Sequence, residues 1–308
     1  MTRQRLLRLA LQIALFVFVV RYLATHWSEY HGVFEKAAID WGALTLSSLF
    51  VLVAYVLLIQ TWRQVVEEFG ERLEFTAAMR IWFVSNLGKY IPGKVWSIAA
   101  MGTLSQEQGI SPIAAVGSSV IVQLVNLVTG FAVFIVAGAP TMDVPLPAVA
   151  AVVAIGAGLL GAPRLLPWAV AMVNRLTGRR QAMTYLPPRA VWWAAAGTSM
   201  AWVFYGIAFQ FFAIAVTGGE AYGALSDWTA VFVGSYLLGF IAVFSPGGLG
   251  VREVAMAEAL QRTGLAIGAV AALLVAASRI WLTVLEIIPG VLFLLVRPLA
   301  RTDFSADR

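Results

Sequence analysis

The sequence contains 308 residues, of which 60% are hydrophobic and only 12% are charged. Because a soluble domain carries roughly 25% charged residues, the composition excludes a soluble globular protein and indicates a multi-pass membrane protein. The absence of cysteine excludes disulfides and thiolate chemistry. The net charge of +5 does not indicate a nucleic-acid partner, because membrane topology accounts for the basic residues.

The N-terminal region carries three arginines ahead of the apolar run 9–20. This pattern predicts a retained first span with the N-terminus in the cytoplasm, and hence a protein of the cytoplasmic (inner) membrane. His26 and His31 follow in one short segment beside two aromatic residues, which is typical of an interfacial loop. No metal site and no cofactor are predicted.

Apolar runs further along the chain predict spans at 42–61, 113–137, 148–160, 191–216 and 228–244. The last run, 265–296, would be ~48 Å long as a helix, which exceeds one span and falls short of two. The basic C-terminus favours two short or tilted crossings there. The predicted fold is an all-α, polytopic membrane helix bundle of seven or eight spans, forming one domain over 1–308.

The segment 164–189 contains five arginines and no acidic residue. It is predicted to be a cytoplasmic loop that joins two half-repeats, near 41–163 and 190–297. Contact with anionic lipid and docking of a partner protein are alternative uses of the same charge.

One motif stands out from the apolar background, FSPGGLGVRE at 244–253. Proline and glycine end the preceding helix and free the backbone to turn, and charge follows at once. Broken helices with charge inside apolar proteins are typical of transporter binding sites. The candidate binding residues in this motif are Pro246, Gly247, Gly248, Gly250, Arg252 and Glu253.

A weaker copy, NLGKYIPGKVW, covers 86–96 and supplies Pro92, Gly93 and Lys94 as candidates. The apolar segments on either side of this Pro-Gly are too short to cross a ~30 Å hydrocarbon core. The two motifs therefore predict two re-entrant, broken-helix hairpins.

The hairpins also predict an internal repeat. Gly109 follows Pro92 by 17 positions, and Gly264 follows Pro246 by 18. Counting the predicted loops puts both hairpins on the cytoplasmic side, which makes the repeat parallel unless one short segment crosses the membrane.

A helix start exposes free N–H groups and the positive end of the helix dipole, and glycine lets an anion approach them. Lys94 and Arg252 add full positive charge beside the two predicted starts. Because phosphate is the most abundant anion in a membrane, the hairpins are interpreted as phosphate-binding elements. A kink needed only for packing is the alternative.

Arg279 and Glu286 share one helical face within the last apolar run, where charge is expensive. They are interpreted equally well as ligand contacts and as an interhelical clamp, for example between Arg279 and either Glu253 or Glu286.

Uncharged polar residues make weaker candidates in the first half. Gln123 and Asn126 form a polar stripe in one span, and Asn86 and Lys89 lie three positions apart before the first Pro-Gly. No nucleotide-binding loop, zinc motif or nucleophile elbow is present in the sequence.

The two motifs, followed by a span that contains Arg279, resemble the flippase-like integral membrane family. That family includes the membrane domain of bacterial lysylphosphatidylglycerol synthases, the multiple peptide resistance factors. The resemblance covers about 80–286 and implies a domain that translocates a phospholipid or lipid-linked head group. It also implies that the residues of SPGGLGVRE match the family's second motif.

The first half departs from that family. Many members have Gly-Glu after the first Pro-Gly-basic triplet, where this chain has Trp96 and Ser97. Many also carry Glu-Arg and Asp in the next span, where this chain has Val122, Gln123 and Asn126. The soluble aminoacyl-transferring domain is absent from this sequence, so we expect no enzymatic activity.

Two functions from different classes follow. The first is a flippase-like protein whose partner is a membrane phospholipid or lipid-linked substrate. The second is a non-transporting membrane partner of a lipid-modifying or lipid-linked glycan enzyme. The sequence leaves open whether the protein is a homo-oligomer.

Overall fold

The computed structural model of the protein describes residues 39–88, 95–139, 141, 145–177, 187–219, 221–242, 245 and 248–295. The predicted first span at 9–20 and the two histidines lie outside the described residues. The ranges that the structure describes are almost wholly helical and contain no strand.

Nine helices form within the described ranges. They are α1 (Trp41–Glu68), α2 (Phe75–Leu87), α3 (Val95–Glu107), α4 (Pro112–Gly138), α5 (Leu146–Thr177), α6 (Pro188–Thr217), α7 (Leu225–Ile241), α8 (Val251–Arg262) and α9 (Gly268–Leu295). Helices α1, α4, α5, α6 and α9 contain stretches long and apolar enough to cross a membrane. The prediction of an all-α, polytopic helix bundle is confirmed.

Local sequence signals account for several helix starts. The Asp40 side chain accepts hydrogen bonds from the backbone N–H groups of Gly42 (2.9 Å) and Ala43 (3.0 Å) and so caps α1. Pro112 and Pro188 occupy the first positions of α4 and α6, where the missing N–H costs nothing.

The predicted fourth span at 148–160 is longer in the structure, because α5 continues to Thr177. The first part of the predicted loop 164–189 is therefore helical. Its arginines at 164 and 175 are separated by an almost wholly apolar run, so charge alone did not mark the end of the helix.

The last apolar run forms one continuous helix, and the prediction of two crossings is wrong. Helix α9 has 28 residues and retains Pro289 inside it. A helix of this length spans ~42 Å, which a tilted single crossing accommodates. Proline is tolerated within membrane helices because neighbouring groups can satisfy the freed backbone carbonyl.

The centre of the bundle is an antiparallel pair of long helices, α1 and α6. The backbone N–H of Asp40 donates to the Ala215 carbonyl (3.0 Å), and the Ser47 hydroxyl donates to the Ala208 carbonyl (2.6 Å). Near the other end, Gly197 packs directly on Thr61. Small residues at the contact let the two backbones approach closely, as is common between membrane helices.

Each half of the chain contains a pair of shorter helices: the first pair is α2 and α3, and the second pair is α7 and α8. Helix α2 packs on α9, where Gly290 meets Leu87. Helix α7 packs on α4, where Gly130 meets Leu237. The first helix of each pair therefore packs on the long helix that follows the other pair.

Matching side-chain contacts support this repeat. The Ser119 hydroxyl contacts the Met101 sulfur (2.8 Å) in the first half, and the Ser278 hydroxyl contacts the Met256 sulfur (3.7 Å) in the second. The second helix of each pair is followed by a glycine with positive φ. This angle is 78° at Gly109, after α3, and 70° at Gly264, after α8. The two halves share one helix arrangement.

The two helix pairs begin at opposite ends of the bundle, which corresponds to the inverted alternative of the predicted repeat. Helix α2 turns back from the C-terminal end of α1, and α7 turns back from the C-terminal end of α6. Since α1 and α6 are antiparallel, the two pairs enter the bundle from opposite ends. The loop count that favours a parallel repeat treats the 17-residue α7 as a full crossing.

Candidate functional site

Arg252 is the second residue of α8 and lies inside the protein, with 8% of its surface exposed. Its guanidinium carbon is 5.3 Å from the ring centre of Phe232 and 5.2 Å from that of Tyr236, both on α7. These are cation–π distances. Among the described residues, the buried Nη2 atom has no hydrogen-bond partner. A buried cation with a spare donor is an arrangement that an anion would complete.

Two glycines fix the position of this arginine. Gly248 has φ of +72°, and a Cβ there would be 2.8 Å from the carbonyl oxygen of Gly239. A Cβ on Gly239 would in turn be 2.8 Å from the Cβ of Arg252. Only glycine lets the connecting segment lie this close to α7. Gly248 of the motif and Gly239 of α7 thus bring α8 onto α7 and its aromatic rings.

Glu253 occupies the start of α8. The backbone N–H of Gly250 donates to its Oε2 atom (2.6 Å), which completes a capping box. Its Oε1 atom lies 3.2 Å from Nε of Arg279 on α9, an ion pair without hydrogen-bond geometry. One of the two predicted clamp pairs is therefore present. Because the carboxylate of Glu253 already occupies the start of α8, an anion at this site would bind the guanidinium of Arg252 and not the helix start.

Glu286 lies two turns along α9 from Arg279 and is also buried, with 8% exposure. It lies on the same face of α9 as Arg279, seven residues further along the helix. The Tyr205 ring stacks on Phe232, with ring centres 5.6 Å apart. We call Tyr205, Tyr236, Arg252, Glu253, Arg279 and Glu286 the arginine cluster. Four helices, α6 to α9, contribute to it.

Aromatic contacts beside the arginine cluster have counterparts in the first half of the chain. Tyr55 of α1 contacts Phe83 in the first half (5.7 Å), as Tyr205 contacts Phe232 in the second (5.6 Å). The two tyrosine rings contact each other edge to face, with ring centres 6.2 Å apart. The rings at the centre are thus repeated in both halves, whereas the charged residues of the arginine cluster, as far as the described residues show, come from the second half.

The uncharged polar residues predicted in the first half, Asn86, Gln123 and Asn126, lie on α2 and α4. Gln123 has a buried Nε2 atom without a partner among the described residues. Asn126 contributes its backbone carbonyl, which accepts a hydrogen bond from Nε1 of Trp202 (3.0 Å). The Trp202 ring contacts Tyr236, with centres 5.2 Å apart. Asn86 is half-buried near the end of α2.

Several predicted site residues lie outside the described part of the chain: Lys89, Pro92, Gly93, Lys94, Pro246 and Gly247. The matching serine–methionine contacts align Val120 with Arg279. The first half therefore has no charge at the position equivalent to Arg279.

Sequence reasoning missed Tyr205, Phe232, Tyr236 and Gly239. Aromatic residues are frequent in apolar spans, and this chain has 12% of them, so no local pattern distinguishes those that contact Arg252. A glycine within a helix is an equally weak signal, since it is read only as a packing site.

These features define a multi-pass helical membrane protein with a buried arginine at the start of a broken-helix segment. Residues 6–287 match the family model described as Lysylphosphatidylglycerol synthase TM region, and the chain belongs to this family. Membership makes it a membrane domain associated with lipid modification or transport. No curated protein matches the chain.

Proposed function

We propose that this protein is a flippase-like translocase that moves a phosphate-bearing lipid head group between membrane leaflets. The observation that carries the proposal is the buried guanidinium of Arg252, held against two aromatic rings with Nη2 unpartnered among the described residues. A buried cation is unfavourable without a counter-charge. In a membrane, a lipid phosphate can supply that charge.

The inverted pairing of the halves supports movement of the head group rather than static binding. The short helices α2 and α7 enter the bundle from opposite ends. Transporters built from inverted repeats alternate between two arrangements in which the halves exchange conformations. In the proposed cycle, Arg252 holds the phosphate while the bundle opens toward one leaflet and then the other. The proposal assigns no enzymatic step, and it places the protein in the inner membrane.

The experiment is translocation of acyl-labelled phospholipids in liposomes that contain the purified protein. Wild-type protein should speed translocation, and Arg252→Ala should reduce the rate at least tenfold, because a charge-assisted phosphate contact contributes about 1.5–3 kcal/mol. Arg262→Ala is the matched control, since Arg262 lies on the same helix but is exposed and pairs with Glu258. Equal rates for wild type and Arg252→Ala would reject the role of Arg252.

The family name favours a second candidate, a membrane partner of a lipid-modifying or lipid-linked glycan enzyme, because it refers to the membrane region of a synthase. In this case the protein would hold lipid for an enzyme and would not translocate it. Co-purification with such an enzyme, together with no translocation of any lipid tested, would favour this candidate.

A further inference from the structure

Exposed tryptophans mark the two ends of the central helix pair. Trp193 lies near the start of α6 and Trp41 at the start of α1, and both are exposed. The N–H of Asp40 bonds to the carbonyl of Ala215, so Trp41 lies at the level of Ala215. This level is 22 residues beyond Trp193, ~33 Å along the helix and close to the ~30 Å of a hydrocarbon core. Since tryptophan is enriched at both membrane interfaces, these residues indicate where the core begins and ends.

Arg252 lies near the middle of this interval. Its guanidinium carbon is 5.3 Å from the ring centre of Phe232, and that ring stacks on Tyr205 of α6 at 5.6 Å. Tyr205 follows Trp193 by 12 residues and precedes Ala215 by 10. These separations are ~18 and ~15 Å along the helix axis. The ring contacts therefore hold the guanidinium about halfway between the two interfaces.

The length of α8 indicates the same depth independently. The last turns of this helix carry an exposed ion pair between Glu258 and Arg262. Exposed charge is expensive in hydrocarbon, so this pair belongs at the interface. Arg262 follows Arg252 by ten residues, ~15 Å along the helix, which is half of a ~30 Å core. Helix α8 thus reaches from one interface to about the middle of the membrane.

Two charged residues of the arginine cluster lie at the outer surface of the bundle, where α8 and α9 meet. The side chains of Arg279 and Glu253 are 27% and 23% exposed, and their Nε and Oε1 atoms are 3.2 Å apart. The next residues on the two helices, Ile280 and Val254, are 67% and 70% exposed. Large apolar side chains exposed at this depth face the hydrocarbon. The ion pair therefore borders the lipid, with the more deeply buried Arg252 next to it.

A site at this depth that borders the hydrocarbon suits a ligand with both a phosphate and acyl chains. The chains can stay in the hydrocarbon while the phosphate reaches the buried Nη2 of Arg252, which has no partner in the described part of the chain. A free phosphate ion would instead have to cross ~15 Å of apolar protein from either interface. Because transfer of a bare ion into such surroundings is costly, the lateral route is favoured.

We propose that the surface between α8 and α9 is a lateral entrance for a phospholipid. The acyl chains lie against Val254 and Ile280, and the phosphate passes the Glu253–Arg279 ion pair to reach Arg252. The ion pair closes the entrance in this structure. This inference rests on the proposed function for the phosphate site at Arg252, and it adds the surface on which the lipid lies and the direction from which it arrives.

The test is photo-crosslinking in detergent micelles supplemented with equimolar phosphatidylethanolamine and phosphatidylglycerol, both with deuterated acyl chains. The photoreactive residue p-benzoylphenylalanine is placed at Val254 or at Ile280, and mass spectrometry identifies the adducts. Both positions should form an adduct with a deuterated acyl chain, and Arg252→Met should abolish it. Both positions are exposed, so the larger side chain should not prevent folding.

Val153 provides the matched control, because it is 66% exposed and lies on α5, which packs on α4 and α6. The same photoreactive residue there should form no adduct that depends on Arg252. Equal adducts at all three positions would show that lipid coats the whole bundle, and would overturn the entrance. Inorganic phosphate in excess should leave the adducts unchanged. Their loss would show that the site is reached from water, which also overturns the entrance.

The outcomes separate this inference from the proposed function. A lipid retained through Arg252 that forms no adduct at Val254 or Ile280 would overturn the entrance and leave the phosphate site in place. Adducts at both positions in a protein that translocates no lipid would reject the transport proposal and leave the entrance in place. A protein that retains no lipid in any variant would reject both.

Discussion

At the scale of single residues, Arg252 has opposite effects on stability and on binding. Its guanidinium is buried with one nitrogen unpartnered in the described structure, and it lies against two aromatic rings. Cation–π contacts contribute about 0.5–2 kcal/mol, which is less than the several kcal/mol that desolvation of an ion costs. The folded protein therefore carries an unfavourable group that a ligand can use.

Arg252→Met should stabilise the protein while it removes lipid binding. Methionine fills a similar volume without charge, so the free energy of unfolding in lipid-free detergent should rise by about 1 kcal/mol or more. Thermal unfolding of the purified protein measures this change. A lower unfolding temperature than wild type would mean that Arg252 supports the fold and does not await an anion.

Gly239 positions Arg252, so Gly239→Ala should weaken lipid binding without touching the lipid. The new Cβ would be 2.8 Å from the Arg252 Cβ, and relief of this contact must move α8 away from α7. Overpacking of this kind costs about 1–3 kcal/mol. Gly117→Ala is the control, since a Cβ at Gly117 meets nothing within 4 Å. Equal unfolding temperatures and equal lipid retention for both variants would show that Gly239 has no such role.

At the scale of elements, the contact between α1 and α6 depends on Gly197. A Cβ at this position would collide with the Thr61 side chain. Gly197→Ala should therefore destabilise the protein by about 1–3 kcal/mol, and adding Thr61→Ala should restore most of the loss. Gly158→Ala, on the exposed α5, should have little effect, because a Cβ there has no neighbour within 4 Å. A lack of rescue in the double variant would contradict this packing.

How far the sequence predicts these elements depends on the length of each apolar run. The runs 113–137 and 191–216 predicted α4 and α6 to within a few residues, because only a helix satisfies the backbone in an apolar medium. Periodicity could not decide whether 265–296 crosses once or twice, since Pro289 permits either path. In the structure this run is one helix that packs against α2 and α8.

The candidate site was predictable only in part. Charge in an apolar run marked Arg252, Arg279 and Glu286, because such charges are rare and require a partner. The rings that contact Arg252 come from α7, and their proximity depends on the close approach of Gly239 and Gly248. Tertiary contacts of this kind leave no periodic trace in the sequence.

At the scale of the whole molecule, the inverted arrangement predicts opposite exposure of the two helix pairs. The natural chain has no cysteine, so single cysteines can be placed without background. Gln106 ends the first pair and Gln261 the second, and both are exposed. A membrane-impermeant maleimide applied to intact cells should label Gln261→Cys and spare Gln106→Cys, if the basic segment 164–189 is cytoplasmic.

Permeabilised cells provide the control, because both cysteines should then react. Labelling of both variants in intact cells, or of neither, would place the two helix pairs on one side of the membrane. The parallel arrangement would then be correct, and the alternation proposed for the two halves would lose its structural basis.

The central claim, that Arg252 binds the phosphate of a lipid, is tested most directly by the lipids that remain on the purified protein. Mass spectrometry of wild type, Arg252→Met and Arg262→Met, purified in the same detergent, makes the comparison. We predict a phosphate-bearing lipid on wild type and on Arg262→Met, and its loss from Arg252→Met. Retention of the same lipid by all three proteins would contradict the account.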